Sequence, residues 1–191
     1  KPFFAYICTN APHGPLHCPQ KYIDMYEGQS KGLASFFGMI TNIGPAHLEG
    51  VGTIEGVTEA KAELLETVKP GGTVILNADD QRVSGLADRT RNHVIQFGSS
   101  SDADVRALSI TTEAENTIFT LALAGEKRSI RLKTPGAFMV ANALAASAVG
   151  YCLGLTADEI GSGLERFEPV RGRLNLFKIG KEVHLIDDTY N

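Results

Sequence analysis

Apolar and polar positions change rhythm several times along this chain of 191 residues. Phe3 to Thr9 is a short apolar run that predicts a strand. Asn10 to Pro19 is punctuated by prolines, each of which fixes φ and removes a ladder donor, so it reads as a loop. Gly38-Met39-Ile40-Thr41-Asn42-Ile43 has the continuous apolar character of a strand buried on both faces, closed by Gly44-Pro45. Thr53 is an N-cap candidate for a helix running to about Val68, and Pro70-Gly71-Gly72 stops it. Strands follow at Thr73–Leu76 and His93–Phe97, with a short helix at Asp79–Ala87 between them. The rhythm then shifts to alternation. Val105–Ile110, Thr117–Ala124 and Ser129–Leu132 predict an antiparallel meander, with Gly125-Glu126 as the turn between the last two. Phe138–Leu155 and Ala157–Phe167 read as helices, the second capped by Thr156. Leu174–Ile179 and Val183–Ile186 read as strands around Gly180-Lys181. Strands alternating with helices predict an α/β fold: a mostly parallel sheet flanked by helices, with a small antiparallel β meander.

Composition narrows the class. Hydrophobic residues make up 43% and charged residues 21%, enough apolar content for a packed core. With 18 Lys+Arg against 22 Asp+Glu the net charge is −4, so no electrostatic footprint for nucleic acid or an anionic membrane is present. Cys8, Cys18 and Cys152 form no metal-binding spacing and fit a reducing compartment. Phe138–Leu155 runs without a charge, but Asn142, Ser147, Gly150 and Gly154 interrupt it. It therefore predicts a buried helix rather than a membrane span. The first residue is Lys1, not Met, and the chain is expected to begin inside a longer protein.

Four groups of residues could carry chemistry. Thr41 to Glu49 bunches polar groups, including His47 beside Glu49, just beyond a strand end, where open α/β sheets bind ligands. That His has equal claim to be a metal or phosphate contact or a loop residue capping a helix. Lys61, in Glu59-Ala60-Lys61-Ala62-Glu63, reads by itself as a solvated helix-face residue. Asn77-Ala78-Asp79-Asp80 closes a strand and opens a helix, where Asn and Asp are ordinary N-caps. Arg171-Gly172-Arg173 and Asp187-Asp188 stand near strand ends and suit phosphate and ribose or metal contacts, or equally a surface turn. No G-x-x-x-x-G-K-[ST] phosphate loop occurs anywhere in the chain.

Together these segments resemble the central, ATP-binding domain of the Mur ligases. The runs ITNIGPAHLEG at 40–50, EAKAEL at 59–64, LNADD at 76–80, NALAA at 142–146, RGRL at 171–174 and IDDTYN at 186–191 match in order. The Ala-His-Leu-Glu form and the Asp-Asp-Thr-Tyr-Asn ending favour the branch of the family that joins D-Ala-D-Ala to UDP-N-acetylmuramoyl-tripeptide. The resemblance implies that His47 and Lys61 hold Mg²⁺, Lys61 as a carbamate formed with CO₂. It implies Asn142 at the adenine, Arg173 at the γ-phosphate, Asp188 near the ribose, and Asn77 on the nucleotide side. His47, Lys61 and Arg173 are thereby the catalytic candidates, and ATP is the energy source for an acyl-phosphate reaction in a bacterial cytoplasm. Gly136-Ala137-Phe138-Met139 departs from the family pattern, which often ends in Asn at the position of Met139.

The front of the chain differs. Residues 1–29 resemble a short sulfatase segment, through PFF-x-Y, N-A-P-H-x-P and P-x-K-Y, but lack the Cys-x-[Pro/Ala]-Ser-Arg motif on which that chemistry depends. The expected organisation is a non-catalytic segment and junction at 1–37, followed by an incomplete ligase domain at 38–191, inactive alone because the phosphate loop, with its flanking strand and helix, and the substrate-binding domains are missing. Removing that strand would leave an apolar sheet edge, for which Phe3, Phe4, Tyr6 and Ile7 are a candidate replacement. The alternatives are a non-catalytic nucleotide- or partner-binding module and a sulfatase-related fragment.

Overall fold

A computed structural model describes residues 37–45, 52–169, 175–179 and 183–187. The chain divides into two compact units, up to Ala103 and from Asp104 onward.

The first unit is built on parallel strands. β1 (Phe37–Ile40), β2 (Thr73–Asn77) and β3 (His93–Gly98) lie side by side in that order. The register pairs Met39 with Ile75 and Ile75 with Ile95. Val74, Ile75 and Leu76 are all fully buried, so both faces of β2 are covered, as its unbroken apolar run requires. α1 (Ile54–Thr67) begins at Thr53, whose hydroxyl accepts from the Gly56 amide at 3.1 Å. Its buried positions Val57, Ala62 and Leu65 recur at helical spacing and pack in one cluster with Ile40, Ile43, Val68, Val74 and Leu76. Pro70 and Gly71 (φ 83°) then turn the chain into β2. The segment expected as one short helix is a single α turn, α2 (Gln81–Ser84), continued as a 3-10 turn over Gly85–Arg89.

The second unit holds the antiparallel meander. β4 (Val105–Thr112), β5 (Thr117–Leu123) and β6 (Glu126–Leu132) pair in sequence order. Alternate residues of β5 are buried, led by Phe119 and Leu121 at 0% exposure, which is the period-2 signature of a sheet with one face on a core. The β5–β6 turn differs from the expectation. Leu123 pairs with Glu126, so the turn is Ala124-Gly125, and both residues have positive φ (50° and 86°). A two-residue hairpin favours this geometry because its twist matches that of the flanking strands.

α3 (Phe138–Cys152) is 15 residues long and stops before the expected end at Leu155. Gly154 (φ 78°) ends it: its amide donates to Tyr151 O at 2.9 Å, and the Leu155 amide donates to Gly150 O at 3.0 Å. That pair of bonds is a left-handed glycine stop, which satisfies carbonyls the helix leaves over. Among the described residues no helix is long and apolar enough to cross a membrane. α4 (Ala157–Glu165) starts at Thr156 with a reciprocal cap, in which Thr156 and Glu159 each satisfy the other's backbone amide. Arg128 of β6 binds Asp158, Ser162 and Glu165 along α4. β7 (Asn175–Ile179) and β8 (Val183–Asp187) form a separate antiparallel pair.

The α/β reading with a parallel sheet, flanking helices and a small antiparallel meander therefore holds. The first strand is shorter than expected, ending at Ile40, because Thr41 to Ile43 turn their backbone groups to other partners. The strand expected at Phe3–Thr9 and the loop at Asn10–Pro19 lie outside the described residues.

Candidate active site

Three strands of one direction bring their carboxyl ends to one edge, and the polar residues of the first unit gather there. The segment after β1 is held at each of three successive residues. Asn77 Nδ2 donates to Thr41 O at 2.8 Å. Lys61 Nζ donates to Asn42 O at 2.6 Å. The Ile43 amide donates to Asp80 Oδ2 at 2.7 Å. Ile43 itself is 5% exposed and packs in the core cluster, so the segment is anchored by its side chain as well.

The turn after β2 makes this possible. Asn77 Oδ1 accepts from the Asp79 amide at 2.9 Å, a local turn of the kind Asn favours. The second oxygen of Asp80 caps α2, accepting from Arg82 N at 3.0 Å and Val83 N at 3.3 Å. Asp79 faces the other way. Its carboxylate accepts from the Ser99 amide, the Ser99 hydroxyl and the Ser100 amide, all within 3.0 Å. A Cβ at Gly98 would lie 2.7 Å from Asp79 Oδ1, so the absence of a side chain there leaves room for the carboxylate.

Lys61 departs from the solvated-face reading. Two α1 turns carry it from the cap to the segment after β1, where a backbone carbonyl receives its amine. Its neighbour Glu59 is turned instead to Arg89, which binds it through both carboxylate oxygens at 2.9 and 2.7 Å. The Arg89 hydrogen bond holds the Glu59 carboxyl below the usual range. Glu59 therefore has its own cation, and Lys61 is not needed for it.

Asn142 lies in the second unit, in the first turns of α3, and its amide donates to the Met139 sulfur at 3.9 Å, a weak contact. The departure from the family pattern at Met139 is thus felt directly by the candidate adenine contact. His47, Arg173 and Asp188 lie outside the described residues. Among the described residues no group of three or more His, Cys, Asp and Glu is placed to hold a metal ion. Sequence reasoning missed the Ser99-Ser100 contribution and took Asp79 and Asp80 only as helix caps. The signal available was an Asn followed by two Asp at a strand end, more side-chain oxygens than one cap can use.

The comparisons with known proteins agree with this fold. The Mur ligase middle domain model matches residues 23–150. The chain belongs to the Mur ligase family. It is 40% identical over 172 residues to a UDP-N-acetylmuramate–L-alanine ligase of Stenotrophomonas maltophilia, covering 86% of the chain and 36% of that protein. It is 35% identical over 153 residues to a UDP-N-acetylmuramoyl-tripeptide–D-alanyl-D-alanine ligase of Haemophilus influenzae, covering 80% and 33%. Among solved structures, MurF from Acinetobacter baumannii superposes with a TM-score of 0.75 at 30% identity, over 82% of the chain and 34% of that one. MurF from Thermotoga maritima, determined in complex with ADP, gives 0.70 at 26% identity, over 81% and 35%. The chain thus spans about a third of the length of these relatives. Residues 23–29 of the segment likened to sulfatases fall inside the family match, and the sulfatase likeness is not borne out.

Proposed function

We propose that this chain is the nucleotide-handling part of an ATP-dependent Mur ligase of peptidoglycan precursor synthesis, joining D-Ala-D-Ala to UDP-N-acetylmuramoyl-tripeptide in the bacterial cytoplasm. The observation that carries the reading is the convergence of Lys61, Asn77 and the segment after β1 on the carboxyl edge of the parallel strands. The Mur ligase middle domain match, over residues 23–150, includes these residues and supports the reading.

ATP would phosphorylate the tripeptide carboxylate, and the amine of the dipeptide would attack the acyl phosphate, releasing phosphate. Arg173 would meet the charge that builds on the transferring phosphoryl group, and Asn142 and Asp188 the adenine and ribose. Mg²⁺ does not fit the described residues as they stand. An ammonium at Lys61 repels a cation, and both Asp80 oxygens are occupied by backbone amides. A carbamate on Lys61, with His47, would change the donor set to oxygen and nitrogen, and hard Mg²⁺ prefers oxygen.

One observation favours a second substrate. The 40% identity to an L-alanine-adding ligase makes UDP-N-acetylmuramate with L-alanine the competing pair. The test has three arms. Calorimetric titration of the chain with ATP is expected to give binding; no heat of binding argues for a domain that does not handle nucleotide. Phosphate release is then assayed with each substrate pair. The chain alone is expected to give no turnover, and a full-length Mur ligase carrying this segment as its middle domain to turn over the tripeptide pair; turnover only with L-alanine reassigns the substrate. Carbon NMR of the chain in labelled bicarbonate is expected to show a carbamate signal that Lys61→Arg abolishes. An unchanged spectrum in that variant refutes the carbamate.

A further inference from the structure

The turn Asn77-Ala78-Asp79-Asp80 has more polar side chains than a helix start needs, and they bind the backbone of two other segments, Asn77 and Asp80 the one after β1 and Asp79 the one after β3. Asn77 reaches back to Thr41 O, Asp80 to the Ile43 amide, and Asp79 forward to Ser99 and Ser100. The central strand β2 thereby ties together the segments that follow both of its neighbours. The Ala78 amide adds a bond to Phe97 O at 2.8 Å on the β3 side.

We infer that Asn77 and Asp80 are positioning residues rather than nucleotide contacts: they set the backbone after β1 so that the Asn42 carbonyl receives the Lys61 amine, while Asp79 holds the segment after β3. The chemistry of each group supports this. The Asn77 amide already uses one N–H on Thr41 O and a lone pair on the Asp79 amide, so it is oriented by the protein on both sides. Asp80 divides its two oxygens, one for the α2 cap and one for Ile43. Ile43 N–H shares its peptide plane with the Asn42 carbonyl and Thr41 O belongs to the plane before it, so the acceptor's own peptide group and the preceding one are both held by residues at the end of β2. A carbonyl held in this way presents a defined lone pair, and the amine on the end of a flexible four-carbon stem is localised by it. The assignment deepens the proposed reading of Lys61 as a site residue.

Two variants of the chain separate positioning from folding. Asp80→Ser retains a good helix cap but is too short to reach Ile43. Asn77→Asp keeps the acceptor for the Asp79 amide and replaces the donor to Thr41 O with a carboxylate oxygen. Amide hydrogen exchange and the ¹⁵Nζ resonance of Lys61 are followed by NMR at fixed pH. In the parent chain the Ile43 amide is expected to be protected. In Asp80→Ser it is expected to exchange about tenfold faster or more, the size of a lost hydrogen bond to a charged group, with Val83 unchanged. In both variants the Lys61 resonance is expected to move toward that of fully exposed lysines. An unprotected Ile43 amide in the parent chain overturns the assignment without any variant. So does equal acceleration at Val83, which traces the effect to loss of α2, or a Lys61 resonance that stays in place. Neither readout involves nucleotide, so a failure of ATP to bind would sink the functional reading and leave this assignment standing.

Discussion

Gly38→Ala tests how closely β1 and α1 must approach to bring Lys61 to its acceptor. Gly38 is buried in β1, and a Cβ there would lie 2.7 Å from Val68 Cγ2 and 3.5 Å from Leu64 Cγ. Ordinary carbon contacts are about 3.5–4.0 Å, so the C-terminal end of α1 must retreat by about 1 Å or Val68 must leave its rotamer. Overpacking of this kind costs about 1–3 kcal/mol. Val68 is 6% exposed, and Val68→Ala alone loses two buried methyl groups, about 1.6 kcal/mol before any cavity term. In the double variant the new methyl occupies space that Val68 has vacated. Its cost is expected to fall short of the sum of the singles by about 1–2 kcal/mol. Urea unfolding followed by circular dichroism gives the four free energies. The site responds too: the Lys61–Asn42 bond is 2.6 Å, and an added ångström takes it beyond hydrogen-bonding range. Gly38→Ala should therefore move the Lys61 ¹⁵Nζ resonance, and Val68→Ala in the same chain should bring it back. Costs that add within about 0.5 kcal/mol would refute the claim that this contact sets the helix–strand distance.

Ala124 holds a left-handed φ in a tight hairpin, where an L side chain is disfavoured by about 1 kcal/mol. Ala124→Asn is expected to stabilise the chain by about 0.5–1 kcal/mol, and a lowered thermal midpoint would count against the turn geometry. Burial pushes the Cys152 thiol up to about 11. It should react slowly with iodoacetamide near pH 8, and because the folded form keeps its proton longer than the unfolded one, stability should decline as pH rises from 9 through 11. Fast alkylation at pH 8 in the folded chain would contradict this. The Glu159 carboxyl is lowered by the Thr156 amide and hydroxyl that donate to it. Its contribution is present above the ordinary carboxylate range and is lost as pH falls through the lowered value. Glu159→Gln should flatten that part of the acid-unfolding profile, and an unchanged profile would show that the cap is not coupled to pH.

Local chemistry was legible from the residues alone. Thr53 and Thr156 are the caps their positions announce, and the apolar run of β2 is buried on both faces as its composition requires. The alternation of β5 likewise faces Phe119 and Leu121 to a core. These features depend on neighbours within a turn or a strand, so the order of side chains is sufficient to decide them. The family resemblance, too, was carried by short ordered motifs, and the match over residues 23–150 agrees with it. What the order of residues left open was the use to which the polar side chains are put. Lys61 beside two glutamates reads as a surface residue until α1 packs beside β1, and Asp80 reads as a simple cap until Ile43 arrives next to it. The bonds that build the candidate site join residues from 19 to 37 positions apart. Such bonds exist only because parallel pairing puts β1, β2 and β3 side by side with their carboxyl ends together. A side chain's donor and acceptor inventory is written in the sequence, but the partner it meets is decided by which strands become neighbours.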